Sequence, residues 1–252
     1  MSDNETHDRK HHVGPQHPVD LRSFGRRKGR APSSHQQWLL DEVLPGIVVD
    51  AAQFDVGASH ELAAALGVTP DGSTQTSTQV WLEIGFGGGE HLIWQARQNP
   101  GVRLIGSEPY QDGVIKVLNA VAEGGLDHIR LLPDDVRPLL RILPPAFLDR
   151  VFILFPDPWP KRRHTKRRLL QPALVQELAR VMRPGSELRF ATDIGDYART
   201  GLLALCANGE FVWTANSPSD WRVRPDDWPA TRYEAKAGRE GRCCYFFSLQ
   251  RQ

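Results

Sequence analysis

Val80-Trp81-Leu82-Glu83-Ile84-Gly85-Phe86-Gly87-Gly88-Gly89-Glu90 is a short, largely apolar run that breaks into glycines. The run reads as a buried strand, and the glycines let the chain turn sharply and let a ligand approach the backbone. Gly85-x-Gly87 matches the start of a dinucleotide fingerprint, but Glu90 stands where its third glycine belongs. Carboxylates at Glu83 and Glu90 offer nothing to a pyrophosphate and would suit a cationic ligand. An NAD dehydrogenase is therefore disfavoured.

Downstream, short apolar runs alternate with amphipathic stretches. Strands are expected at 80–84, 102–106, 128–132, 151–155, 187–191, 211–214 and 243–249. Helices are expected at 89–98, 111–123, 169–182 and 195–207. This alternation predicts an α/β domain with a doubly wound, mostly parallel sheet, whose ligands bind beyond the carboxyl ends of the strands. Upstream, residues 35–43 and 59–66 read as helices, and 67–79 as a polar loop. Residues 1–20 read as a disordered polar tail. Its His7, His11, His12 and His17 fit no standard zinc spacing. The organisation expected is thus a tail over 1–20, a basic arm and helical extension over 21–79, and the α/β domain over 80–252.

Composition fits that picture. Of 252 residues, 40% are hydrophobic and 24% charged, the balance of an ordinary globular chain. The three cysteines, Cys206, Cys243 and Cys244, make no disulfide framework, so reduced thiols and a cytoplasmic location are expected. No apolar run approaches the length of a membrane span, and the polar start lacks the core of a signal peptide. Net charge is only +1, yet charge is uneven. Residues 22 to 30 carry Arg22, Arg26, Arg27, Lys28 and Arg30 without an acid, and 161 to 168 (Lys-Arg-Arg-His-Thr-Lys-Arg-Arg) hold six bases and a histidine. Apolar sequence flanks the second run on both sides, which favours a local polyanion site over a solvated tail.

Three more strand-end loops carry chemistry. Ile105-Gly106-Ser107-Glu108-Pro109-Tyr110 places Glu108 where a carboxylate accepts hydrogen bonds from ribose hydroxyls, so an adenosine-bearing ligand is expected. Pro133-Asp134-Asp135-Val136 could meet an adenine amino group. Phe155-Pro156-Asp157-Pro158-Trp159-Pro160-Lys161 is the most specific. Its prolines stiffen the backbone, and an acceptor beside a flat aromatic is suited to holding a nucleobase. His91 and His128 are isolated in sequence and read as structural. No metal cluster or cysteine nucleophile is indicated.

Taken in order, these blocks resemble the bacterial tRNA (guanine-N7)-methyltransferases. So do Ala191-Thr192-Asp193, Thr231-Arg232-Tyr233-Glu234 and the stretch from Arg22 to Arg30, and the likeness runs from about 22 to 247. The resemblance implies a Rossmann-like class I methyltransferase fold with an antiparallel C-terminal strand. It implies S-adenosylmethionine as donor, no metal, and the guanine at position 46 of tRNA as substrate. By matching motifs, Glu83, Gly85, Gly87, Glu108, Asp135 and Asp157 would serve the donor, with Asp157 also the catalytic position. Lys161, Asp193, Thr231, Arg232, Tyr233 and Glu234 would bind substrate. Arg163, His164, Thr165, Lys166, Arg167 and Arg168 would contact tRNA. The choice of Asp135 over Asp134 is open, no obligate protein partner is implied, and the chain would be a monomer or homodimer. Two alternatives remain at this level: a base methyltransferase acting on an exocyclic amine, and a non-catalytic RNA-binding module on the same scaffold.

Overall fold

The structure is a computed structural model that describes residues 29, 31–55, 57, 59–68, 78–207 and 209–252. The tail and all of the basic arm except Gly29 lie outside the described residues, as does most of the polar loop.

Among the described residues seven strands form one sheet: β1 (Val80–Ile84), β2 (Arg103–Ser107), β3 (Ile129–Leu132), β4 (Leu148–Leu154), β5 (Met182–Thr192), β6 (Phe211–Trp213) and β7 (Tyr245–Arg251), in the spatial order β3-β2-β1-β4-β5-β7-β6. The first five are mutually parallel, whereas β7 runs antiparallel between β5 and β6, with Phe190 opposite Phe247. This is the doubly wound sheet expected, with its antiparallel C-terminal strand. The order reverses between β1 and β4, so the first and fourth loops open side by side at the switch point.

Both faces are covered. On β1, Val80, Leu82 and Ile84 enter one apolar cluster with Val151, Ile153 and Leu188, while Trp81 joins Phe152, Leu154 and Trp228 in another. Burial on both sides explains why these strands read as continuous apolar runs rather than alternating ones. Helices α1 (Ser34–Trp38) and α2 (Ser59–Ala65) precede the sheet, and a π-helical turn over Leu39–Val43 continues α1. This extension is stitched to the sheet edge. The Val49 N–H donates to Leu131 and the Leu131 N–H to Ile47, at 2.8 and 2.9 Å.

The interleaved helices are α3 (Glu90–Gln98), α4 (Gln111–Ala122), α5 (Val136–Ile142), α6 (Pro172–Val181) and α7 (Gly195–Cys206). Among the described residues two more follow, α8 (Ser219–Arg222) and α9 (Arg232–Arg239). Helices α5, α8 and α9 were not anticipated. Helix α6 starts three residues later than the expected 169, because Pro172 occupies its first turn, where no N–H is needed. None of the helices among the described residues is long and apolar enough to cross a membrane.

Candidate active site

The ends of β1, β2, β3 and β4 converge on one cavity of about 950 Å³. Gly85, Gly87, Glu108, Asp135 and Asp157 line it, with Arg232 and Tyr233 from α9 and Lys166, Arg167 and Arg168 from the basic run. Residues from six separate stretches of chain therefore share one space, which no single motif required.

The glycine loop is held from two sides. Gly113 of α4 packs so closely that a Cβ there would lie 2.0 Å from the Gly87 carbonyl oxygen, so only glycine fits. Glu108, 8% exposed, accepts hydrogen bonds from the Gly87 N–H at 2.7 Å and the Tyr110 N–H at 2.9 Å. Burial pushes its carboxyl above the usual glutamate range. The two backbone hydrogen bonds work against that rise, nearby Asp157 adds to it, and Arg232 also opposes it. At Gly85 (φ +74°) an added Cβ would meet no protein atom within 4 Å and would enter the cavity instead. Open space over a left-handed glycine, a buried carboxylate beside it and a cavity of this size fit an adenosine-bearing donor.

Asp157 stands at the mouth, exposed to the cleft, between Pro156 and Pro158. Burial by surrounding protein pushes its carboxyl above the usual aspartate range, and no donor among the described residues hydrogen-bonds to it. Asp157 lines the cavity with both oxygens open to further hydrogen bonds. The residues that bracket it, Phe155 (φ 51°) and Trp159 (φ 42°), adopt left-handed backbone, which costs non-glycine residues about 1–3 kcal/mol each. Strain of this kind persists only where the surroundings over-determine it. Phe155 stacks on Tyr233 (centroids 6.3 Å apart, 16° between planes), which brings the start of α9 over this loop.

Several residues stand elsewhere than their sequence suggested. Glu83 is not in the cavity wall: it is 4% exposed and pairs with His91 Nδ1 at 2.8 Å. His91, isolated in sequence, is thus partnered in space, with Gln95 on its other nitrogen at 3.1 Å. Asp135 does line the cavity, but its carboxylate caps α5, accepting the Arg137 N–H at 2.9 Å and pairing with the Arg137 guanidinium. Of the stretch 231–234 only Arg232 and Tyr233 reach the cavity wall. Thr231 caps α9 through the Glu234 N–H, and Glu234 pairs with Arg224 at 3.2 Å. Asp193 is held by Arg242 at 2.7 Å, and Lys161 is exposed outside the wall.

The basic run folds as a 3-10 helix over Arg162–Arg167. Arg163 and Lys166 are exposed, and Thr165 is half-buried with its hydroxyl on the Arg162 carbonyl. Arg167 lies over the Trp159 ring at 5.0 Å and the half-buried His164 meets its edge at 5.9 Å, so the aromatic is already covered on that side. Arg168, expected at the RNA, is the buried member of the run. Its side chain is 4% exposed, and its guanidinium makes hydrogen bonds within the protein. Sequence reasoning also missed the cavity-lining Arg137 and Arg141, because α5 itself went unseen.

Comparison with known proteins places this geometry. Residues 77–247 match the family model described as "Putative methyltransferase", which sets the class. A tRNA (guanine-N(7)-)-methyltransferase of Rhodospirillum rubrum is 48% identical over 229 residues, covering 90% of this chain and 87% of the relative. Proteins of the same name from Hyphomonas neptunium and Caulobacter vibrioides are 45% and 46% identical, spanning 93% and 92% of the relative and 86% and 88% of this chain. The chain belongs to the tRNA (guanine-N7)-methyltransferase family. Among solved structures, the 16S rRNA methyltransferase KamB aligns with 17% identity and a TM-score of 0.49, over 69% of this chain and 88% of that one.

Proposed function

We propose that the chain transfers a methyl group from S-adenosylmethionine to N7 of the guanine at position 46 of tRNA. The observation that carries this reading is one shared cavity. It joins a donor-type pocket at Gly85 and Glu108 to the open carboxylate of Asp157, with basic side chains in its wall.

When bound, the donor supplies an electrophilic methyl on a sulfonium. The N7 lone pair forms the new bond as the sulfur–methyl bond breaks toward sulfur, and positive charge arrives on the purine. N7 carries no proton, so no general base is needed. The protein supplies orientation, which can be worth several kcal/mol or more, and negative potential where charge develops. Glu108 would accept from ribose hydroxyls. Asp157 would accept from guanine N1–H and N2–H, turning N7 toward the donor and offsetting the arriving charge. Tyr233 and Phe155 offer an aromatic wall beside it.

N7 faces the deep, narrow groove of A-form RNA, so the guanine must come from an irregular region or be drawn out of its stack. Arg163, Lys166 and Arg167 would hold the flanking backbone. Lys161, Asp193, Thr231 and Glu234 would shape the substrate side from outside the cavity wall, and Glu83 would act through His91 and the glycine loop. Nucleoside analysis of tRNA incubated with the protein and donor tests the reading. 7-methylguanosine is expected, and a methylated exocyclic amine or no product would overturn it.

A further inference from the structure

The loop that carries Asp157 has an unusual backbone problem. Pro156, Pro158 and Pro160 remove three N–H donors, so the segment cannot hold itself through a backbone ladder. Two of its remaining residues, Phe155 and Trp159, are left-handed and precede prolines, a combination disfavoured on both counts. The segment nevertheless lines the cavity. Something outside it must fix it.

Arg168 is that something. Its Nε donates to the Pro158 carbonyl at 2.9 Å, one residue from Asp157. Its two terminal nitrogens donate to the Thr200 hydroxyl at 2.8 Å and to Asp196 Oδ2 at 2.7 Å, both on α7. The guanidinium lies 4.9 Å from the centre of the buried Tyr197 ring, and the Tyr197 hydroxyl accepts the Leu170 N–H at 3.3 Å. Only the planar fork of arginine can serve a carbonyl, a hydroxyl and a carboxylate in three directions at once.

We propose that Arg168 is a positioning residue for methyl transfer: it clamps the Pro158 carbonyl to α7 and so sets where Asp157 stands, rather than contacting RNA. This rests on the methyl-transfer reading of the site. It also divides the basic run by role. Exposed Arg163 and Lys166 can face RNA phosphates, while the last arginine of the run is part of the scaffold.

The test compares Arg168→Lys with a second variant that leaves the arginine in place, Asp196→Ala with Thr200→Val, which removes its two anchors on α7. Melting temperature, tRNA affinity over a salt series, donor affinity and single-turnover rate at saturating tRNA and donor are measured on each. Displacing a reacting group by about 1 Å can cost on the order of 100-fold, so a fall of about 10- to 100-fold in the saturated rate is expected for both. Their tRNA salt slope and donor affinity should match the wild type. A wild-type rate in the anchor variant overturns the proposal. So does an Arg168→Lys variant whose saturated rate is normal while its tRNA affinity drops. Hydrogen exchange of amides 161–170 supplies a readout independent of activity. Protection should fall in the anchor variant, and unchanged protection counts against the clamp even if the wild-type protein makes no 7-methylguanosine, a result that would instead sink the methyl-transfer reading.

Discussion

Glu108, at the end of β2, accepts the backbone N–H of Gly87 across 2.7 Å and thereby ties the second strand-end loop to the first. One carboxylate thus both shapes the glycine loop and faces the cavity. Glu108→Ala should weaken donor binding about 10- to 100-fold, since hydrogen bonds to a charged acceptor are worth about 1.5–3 kcal/mol. The pH dependence has a definite sign. Burial raises the Glu108 carboxyl, so its ionised form subtracts from folding stability, and that subtraction vanishes as pH falls from the raised value to the ordinary one. A donor that hydrogen-bonds to the carboxylate needs the ionised form, so donor affinity should fall on acidification at a higher pH than an ordinary glutamate would give. Calorimetry across pH on the wild type and Glu108→Gln checks this, and a wild-type pH profile in the Gln variant would remove Glu108 from the donor site.

The buried Glu83–His91 pair, 2.8 Å apart, makes a prediction about stability. His91→Ala strips the imidazole from a carboxylate that is 4% exposed and hydrogen-bonds to it. It also removes the ring that packs edge-on against Phe152 at 4.6 Å and Trp228 at 6.0 Å. The unpaired acceptor alone should cost about 1–3 kcal/mol. Urea unfolding should show an earlier midpoint at an unchanged slope. A midpoint within error of the wild type would mean that the pair holds nothing together.

The sheet was legible because β1, β2 and β4 are buried on both faces, and continuous apolar runs ending in glycine or proline leave few other readings. The loops were legible because each needs special backbone: the glycines after Ile84 and the prolines around Asp157. What escaped lay in polar or short segments. Helix α9 buries only Ala237, so hydrophobic periodicity could not reveal it. Its signal was Thr231 followed three residues later by Glu234, the N-terminal capping signature, and the Thr231 side chain does accept the Glu234 N–H. Helix α5 was masked by Pro138, which reads as a breaker unless Asp135 is recognised as the cap that puts the proline in the first turn. The burial of Arg168 was not legible for a different reason. Arginines in one run look alike in sequence, and only the fold decides which one points inward.

The basic run should show that division in salt dependence. Replacing Arg163 and Lys166 with Ala should weaken tRNA binding and flatten its salt slope by about 0.7–0.9 for each phosphate no longer neutralised, with donor binding intact. His164 adds a proton-linked part. Partial burial first, then the charges of Arg167, Arg163, Lys161 and Lys166, holds its imidazole below the usual histidine range. A phosphate brought beside it would favour the charged form, so the bound state should take up a proton and tRNA affinity should rise on acidification. His164→Gln should lose that rise while keeping the salt slope. A rise that persists in the Gln variant would assign it to another group.

Asp157 makes the sharpest prediction, because its two oxygens have no donor among the described residues while its backbone is locked between prolines. A structural aspartate in a turn is normally tied to nearby N–H groups; this one lines the cavity without such a tie. Asp157→Asn keeps the shape, exchanges one acceptor for an amide donor that would confront guanine N1–H and N2–H, and removes the negative charge. The single-turnover methylation rate should fall by orders of magnitude, with tRNA affinity nearly unchanged because phosphate contacts dominate it. Burial raises the Asp157 carboxyl above its ordinary value. At saturating donor, where Glu108 no longer limits binding, the wild-type rate should therefore fall as pH drops through that raised value, and the residual rate of the Asn variant should not follow it. Melting temperature measured on the same samples separates lost chemistry from lost fold. A folded Asn variant that methylates at the wild-type rate would remove Asp157 from the reaction altogether.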